Sequence, residues 1–299
     1  MYQQFLLRDQ MLPPRLVPDY RQPLKYVLCN AAKLAIEELR RLDPLLYVCH
    51  RTTDELEHDP LPTWVPKWHR KQDLKLDHFP LNFKRFRASQ DSEPCTQPAG
   101  IDSLEILIAD GFSLDKVQNL TEAFSQNDLH TDDHLLTLLH SAEKLVAGVV
   151  NVADGLEHTL VASLDHRMIP MSQEQSSGGY HALVKYLAGK STTPSFDRHK
   201  DNAELNAIRN YREALIRWMR NRRFFVTKLG YIGTGPQVVR RGDVVAILYG
   251  SGMPIILRQL RQTESYAVVG QAYVFGQMFG EAIEAHKKEG SKDTRFTLV

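Results

Sequence analysis

Cysteine is scarce in this chain. Only Cys29, Cys49 and Cys95 occur in 299 residues, an odd number without a close pair. That usage argues against a disulfide scaffold and fits a reducing compartment. No CxxC and no Cys/His cluster is present, so a structural zinc site is not expected. The HExxH of zinc proteases and the GxSxG nucleophile elbow are missing as well. His130, His134 and His140 lie close in the chain. His130, however, precedes the helix start expected at Thr131, and His134 and His140 fall on opposed faces of that helix. No metal site is predicted. Long apolar runs are also lacking: Leu145–Ala153 is interrupted by Asn151 and falls far below the roughly 20 residues a membrane span needs. The opening MYQQFLLRDQ has no basic stretch leading into an apolar core, so no secretory signal is read there. A soluble, cytoplasmic chain is the expectation.

What is present is ordinary in bulk and uneven in detail. Hydrophobic residues make up 42% and charged residues 24%, as in globular proteins long enough for two domains or one large one. The formal net charge of +1 conceals opposed blocks. Residues 91–204 carry 18 acidic and 7 basic side chains, whereas residues 205–261 carry 11 basic side chains against Glu213 and Asp243. A basic block of this kind suits an external anion such as nucleic acid. The plainer reading, which we favour, is that the two blocks face each other within one molecule.

Along the chain, the proline-rich opening through Tyr20 reads as extended. Leu24, Val27, Leu28, Ala31, Leu34, Ala35, Leu39 and Leu42 share one face of a 3.6-residue period, bounded by Pro23 and Asp43-Pro44, and predict an amphipathic helix. Leu45–Cys49 reads as a short buried strand. Leu61–Trp68, with two prolines, reads as an extended segment with Trp64 and Trp68 tucked against a core. Phe79, Leu81 and Phe83 alternate as in a strand, and Phe86 breaks the phase. Residues 90–100 read as a loop and Ile101–Ala109 as a strand. Asp115–Phe124 and Asp132–Val149 read as helices, the second capped by Thr131 with two aspartates in its first turn. Weaker helices are predicted over Ala153–Leu164 and Gly179–Leu187, separated by a polar loop at Met171–Gly179. Lys190–Asp197 reads as a linker. A long helix follows, with Leu205, Ile208, Tyr211, Leu215, Trp218 and Met219 on one side.

From Arg222 to Gly280 the pattern changes to short apolar runs at Phe224–Thr227, Tyr231–Ile232, Val244–Leu248, Ile255–Leu257 and Tyr266–Val274, punctuated by glycine, proline and charge. This spacing predicts a small antiparallel barrel. The glycines of Gly230-Tyr-Ile-Gly233-Thr-Gly235 precede strands and not a helix, so they read as turn residues rather than a phosphate cradle. The fold class is therefore α+β: a mainly helical region over 1–198, then a linking helix and barrel over 199–299. Arg217, Arg220, Arg222, Arg223, Arg240 and Arg241 are the candidate interaction surface. Trp218, by its place on the apolar stripe, should be buried beneath them.

The segments RRFFVTKLGYIGTGP (222–236), RRGDVVAILYGSGMPIILR (240–258) and YAVVGQAYVFGQMFGEAI (266–283) resemble, in order and spacing, the C-terminal region of fungal heterokaryon-incompatibility (HET-domain) proteins. VPDYRQPLKYVLCNAAKLAIEE (17–38) and LPTWVPKW (61–68) are similar to further segments of that family, so the likeness spans nearly the whole chain. The family's effector domain, described as similar to TIR domains, carries VWIDAxCINQ-like and DPRDKVYALLGL-like segments that do not occur here. The resemblance thus implies a non-enzymatic accessory or regulatory region of an incompatibility protein, with no catalytic residue and no cofactor carried over. Its implied partners are other proteins or its own acidic middle region. A nucleic-acid module using the 205–261 block and an unrecognised hydrolase are the rival readings.

Overall fold

The computed structural model describes residues 21–68, 70, 85–94, 104–124, 131–149, 155–189 and 203–299. The extended opening, the Phe79–Phe83 alternation, the Lys190–Asp197 linker, His130 and Cys95 lie outside the described residues. The chain folds as α+β. Seven α-helices are described: α1 (Leu24–Leu39), α2 (Thr53–His58), α3 (Asp132–Val146), α4 (Leu156–Leu160), α5 (Gln173–Leu187), α6 (Ala203–Met219) and α7 (Glu281–Glu289). Eight strands are β1 (Leu107–Leu120), β2 (Arg222–Thr227), β3 (Ile232–Pro236), β4 (Val244–Leu248), β5 (Ile255–Gln259), β6 (Ser265–Gln271), β7 (Tyr273–Val274) and β8 (Thr294–Leu298). No described helix is long and apolar enough to cross a membrane.

The strands run in the order β4-β5-β6-β8-β1-β2-β3-β7, and a further β4–β1 pairing closes five of them into a ring. All pairs are antiparallel except β6–β8, which is parallel. β1 is the strand that makes the ring. Its first half pairs with β8 and β4, and its second half crosses to β2, with register shifts between Ser113 and Asp115 and between Val117 and Asn119. Bulges of this kind bend a strand sharply enough to serve two sheets. At the crossing with β4, a Cβ on Gly111 would stand 2.1 Å from the backbone oxygen of Ile247. Only glycine fits there.

The helix expected at Asp115–Phe124 is therefore incorrect for Asp115–Leu120, which form the outer half of β1. Its residues have fair helix propensity, but β4 and β2 offer backbone partners that a local preference of a few tenths of a kcal/mol cannot outweigh. The strand expected at Leu45–Cys49 is a 3₁₀ turn over Asp43–Tyr47, with Leu45 and Leu46 buried. Pro44, the second residue of the turn, presets a helical φ and so favours it. The turn-rich segment Leu61–Trp68 is not extended, although Trp64 is fully buried and Trp68 is half-buried. α5 begins at Gln173 and not at Gly179, because Ser172 and Gln175 form a reciprocal capping box. Thr131 does cap α3, accepting from the His134 amide. In α1 the buried face is Leu28, Cys29, Ala32, Leu34 and Ile36, while Leu24, Val27 and Leu39 are exposed.

β2, β3 and β4 are buried on both faces, which explains runs such as Val244-Val-Ala-Ile-Leu248 that show no alternation. One side packs Val117, Phe225, Val245, Ile256 and Val269 with Leu56 from α2. The other packs Val244, Ala246, Leu257 and Val268 in the cluster that holds Trp64, Leu135 and Trp218.

Candidate functional site at the barrel–helix seam

α6 runs into β2 through Asn221, whose φ of 54° makes the tight reversal. This junction carries Trp218 at its end and Arg222 at the strand's start. Arg222 is 5% exposed, and its guanidinium lies 4.6 Å from the centroid of the Trp218 ring. It donates to Gln271 Oε1 at 3.0 Å and to the Thr234 carbonyl at 3.0 Å. Burial pulls its pKa down to about 9. The group therefore stays charged at neutral pH, held by carbonyl dipoles and a π face and with no carboxylate among these contacts. Trp218 Nε1 donates to Thr234 Oγ1 at 2.8 Å, and its ring meets Tyr273 edge-on at 6.2 Å.

From Tyr273 a line of polar atoms continues into the helical layer. The Tyr273 hydroxyl lies 2.8 Å from Ser163 Oγ, Ser163 Oγ 3.2 Å from His158 Nδ1, and His158 Nε2 3.0 Å from Gln173 Oε1. One ring proton, at Nε2, satisfies the whole chain: it donates to Gln173, while Nδ1 accepts from Ser163 and Ser163 accepts from Tyr273. Burial, the largest influence, pushes the Tyr273 phenol up to about 12, so it remains a hydroxyl. Phe275 stacks on His158 at 5.8 Å and closes the site from the barrel side.

Ser163 and His158 together raise the hydrolase reading directly. Ala162 and Ser163 both adopt positive φ, 53° and 57°, the kind of strain that collects at functional positions. The chemistry nevertheless lacks two parts. A neutral amide, Gln173, stands where a carboxylate would orient and charge the imidazole. The amides of Ala162, Ser163 and Leu164 all donate internally, to Thr159, His158 and Val161 carbonyls. None of the three is left to bind an oxyanion. The cluster ties α4, α5 and β7 together.

A second polar cluster anchors α2. Lys67, its side chain 4% exposed, lies 2.5 Å from Glu55 and 2.9 Å from Asp59, and Arg70 pairs with the same two carboxylates. Burial pushes Glu55 upward, but hydrogen bonds from Lys67, the Arg51 amide and Arg70 outweigh it and hold the carboxyl at about 2. Nearby His50 is buried, with Nε2 3.0 Å from the Val268 carbonyl, and burial together with Lys67 lowers it to about 4.

The six arginines singled out in the sequence do not share one surface. Arg222 is buried as described. Arg217 is half-buried and donates to the His166 carbonyl at 2.9 Å, and Arg223 is half-buried and donates to the Gln237 carbonyl at 2.8 Å. Arg220 is half-buried. Arg240 is exposed and paired with Glu57 at 3.2 Å. Arg241 is exposed and donates to Asn119 at 2.8 Å. Between the charge blocks, Arg212 pairs with Asp132 at 2.8 Å. Of the glycines read as turn residues, Gly230 has a positive φ of 91°. Gly233 and Gly235 instead lie within β3, where a Cβ on Gly233 would stand 2.5 Å from the Tyr273 carbonyl. His158, Ser163, Gln173 and Tyr273 were not singled out from sequence. They come from separate segments, and no spacing rule links them.

Residues 174–292, which include α6, the strands β2 to β7 and all but the first residue of α5, match the Het-6 beta-barrel domain. Over 76 residues the chain is 32% identical to heterokaryon incompatibility protein 6, OR allele, of Neurospora crassa. That match covers 25% of this chain and 11% of the length of the relative. No solved structure matches. In its C-terminal barrel region this chain is related to the fungal heterokaryon-incompatibility proteins.

Proposed function

We propose that this chain is a non-enzymatic accessory region of an incompatibility system, acting in the cytoplasm in nonself recognition and the cell death that follows it. The observation that carries the reading is the Het-6 beta-barrel match over 174–292. It is supported by the way the most reaction-like cluster, Ser163 with His158, is committed to holding elements together. The barrel supplies a rigid platform. Recognition then rests on what its surface contacts, and the death-inducing chemistry on a separate effector domain.

Co-expression with a HET-domain effector in a fungal host tests this. The chain is expected to alter the strength of the effector's death response and to cause none when expressed alone. Death from the chain alone, accompanied by NAD cleavage by the purified protein, would overturn the proposal.

A further inference from the structure

The middle of β1 is where the barrel changes partner. Lys116 pairs with Val244 of β4, and the next residue, Val117, pairs with Thr227 of β2. Two turns are stitched to this point by backbone hydrogen bonds. The Lys228 amide donates to the Lys116 carbonyl at 3.0 Å, the Gly242 amide to the Val117 carbonyl at 2.8 Å, and the Val117 amide to the Asp243 carbonyl at 2.8 Å. The tip of the β2–β3 hairpin, the β3–β4 turn and β1 therefore meet in one place.

Each contributes an exposed cation: Lys228, Arg241 and Lys116. Elsewhere in the basic block, Arg258 pairs with Asp243, Arg240 with Glu57 and Arg212 with Asp132. Lys116, Lys228 and Arg241 form no ion pair among the described residues, and Arg241 bonds only the neutral Asn119 amide. The carboxylate of Asp115, beside them, accepts the Leu229 amide at 2.6 Å. Leu229 itself is 76% exposed. It does not sit on a loose tip, since the Gly230 amide donates to the Thr227 carbonyl at 3.1 Å and the Tyr231 amide to Thr227 Oγ1 at 3.0 Å. A large apolar side chain is thus held outward beside these three cations.

We infer that this corner of the barrel docks an acidic protein segment bearing an apolar residue, with Leu229 as the contact for that residue and Lys116, Lys228 and Arg241 for its carboxylates. Charge complementarity of this kind steers encounter and sets register, while the apolar contact holds the complex. A nucleic acid is the poorer fit. Strand binding draws on aromatic stacking platforms, and Tyr231, two residues along from Leu229, is half-buried. The inference rests on the accessory reading above and names its partner class.

The test uses the full chain and fluorescence anisotropy. The probes are a short labelled peptide of aspartate and glutamate around a central leucine, the same peptide with glycine replacing leucine, a single-stranded oligodeoxynucleotide of equal charge, and phosphatidylserine vesicles. The leucine peptide should bind best, weakening as salt rises. Lys116→Glu with Lys228→Glu should lower its affinity about tenfold or more. Leu229→Asp should reduce the leucine peptide to the level of the glycine peptide. All three positions are exposed, so unchanged thermal midpoints are expected. Equal binding by the variants would overturn the inference, as would oligonucleotide or vesicle binding that is tighter and lost on the same substitutions. If the variants modulate effector-driven death as the wild type does, the patch is wrong and the accessory role stands. If the wild type binds the peptide yet leaves that response unchanged, the accessory role fails and the patch stands.

Discussion

His50 shows how one buried side chain makes stability depend on pH. The folded protein holds it at about 4 against an ordinary value of 6.5, because burial and Lys67 disfavour its charged form. The unfolded chain therefore binds more protons between those values. The stabilisation is present above about 6.5 and is lost as pH falls toward 4, a change of order 3 kcal/mol. Glu55 acts in the same direction at lower pH: its carboxyl, held at about 2, contributes above its ordinary 4.5 and loses that contribution as pH falls to 2. Urea midpoints measured across this range should fall with pH, and His50→Gln should flatten the limb between 6.5 and 4. Trp64 illustrates a different residue-scale effect. It is fully buried, and its Nε1 donates to the Glu105 carbonyl at 2.8 Å. Trp64→Ala should cost roughly 3–5 kcal/mol in equilibrium unfolding. The burial of Trp64 and Trp218 was legible from apolar context and the helical stripe. The ion cluster that lowers Glu55 was not, because Lys67 and Arg70 look like ordinary surface charges in a polar segment.

At the scale of elements, paired backbones decide what propensity leaves open. The boundaries of β2, β4 and β5 lie close to the runs read from sequence, since β-branched residues bounded by glycine and proline admit little else. Asp115–Leu120 was misread because a polar strand with bulges has neither the two-residue nor the helical period. The β4–β5 hairpin adds an electrostatic tie that spacing cannot reveal. Arg258 binds Asp243 through two nitrogens, each at 2.9 Å, with both side chains at most 4% exposed. Arg258→Leu would leave Asp243 buried with only its contacts to Arg240, at a cost of roughly 3–5 kcal/mol. Chemical denaturation should show that loss, and Arg258→Leu combined with Asp243→Asn should recover much of it. Full loss in the double variant would mean that the side chains matter through packing and not through charge.

For the whole molecule, the ring depends on two strands, β1 and β8, that lie outside the segment matching the Het-6 domain. β1 at 107–120 closes the ring, whereas the match begins at residue 174. Gly111 is the point of closest approach, and the atom in the way of any side chain is backbone. Gly111→Ala should therefore destabilise the protein by roughly 3 kcal/mol, at the upper end of overpacking penalties. A matching loss of amide-exchange protection in both β1 and β4 would place the damage at ring closure. Unchanged exchange there would assign it elsewhere.

By itself the sequence determined the α+β class, the run of short strands after Arg222, the helix leading into them, and the relationship to incompatibility proteins. These are properties of local periodicity, turn residues and contiguous motif order, all carried by neighbours along the chain. Only the tertiary structure decided that β1 completes the ring and that Arg222 turns inward onto Trp218. It alone placed Ser163 beside His158 and Tyr273, and left Lys116, Lys228 and Arg241, around Leu229, without an ion pair among the described residues. Each of these joins residues from separate segments. Their spacing in the chain carries no signal, because burial and pairing depend on which surfaces meet in the folded molecule.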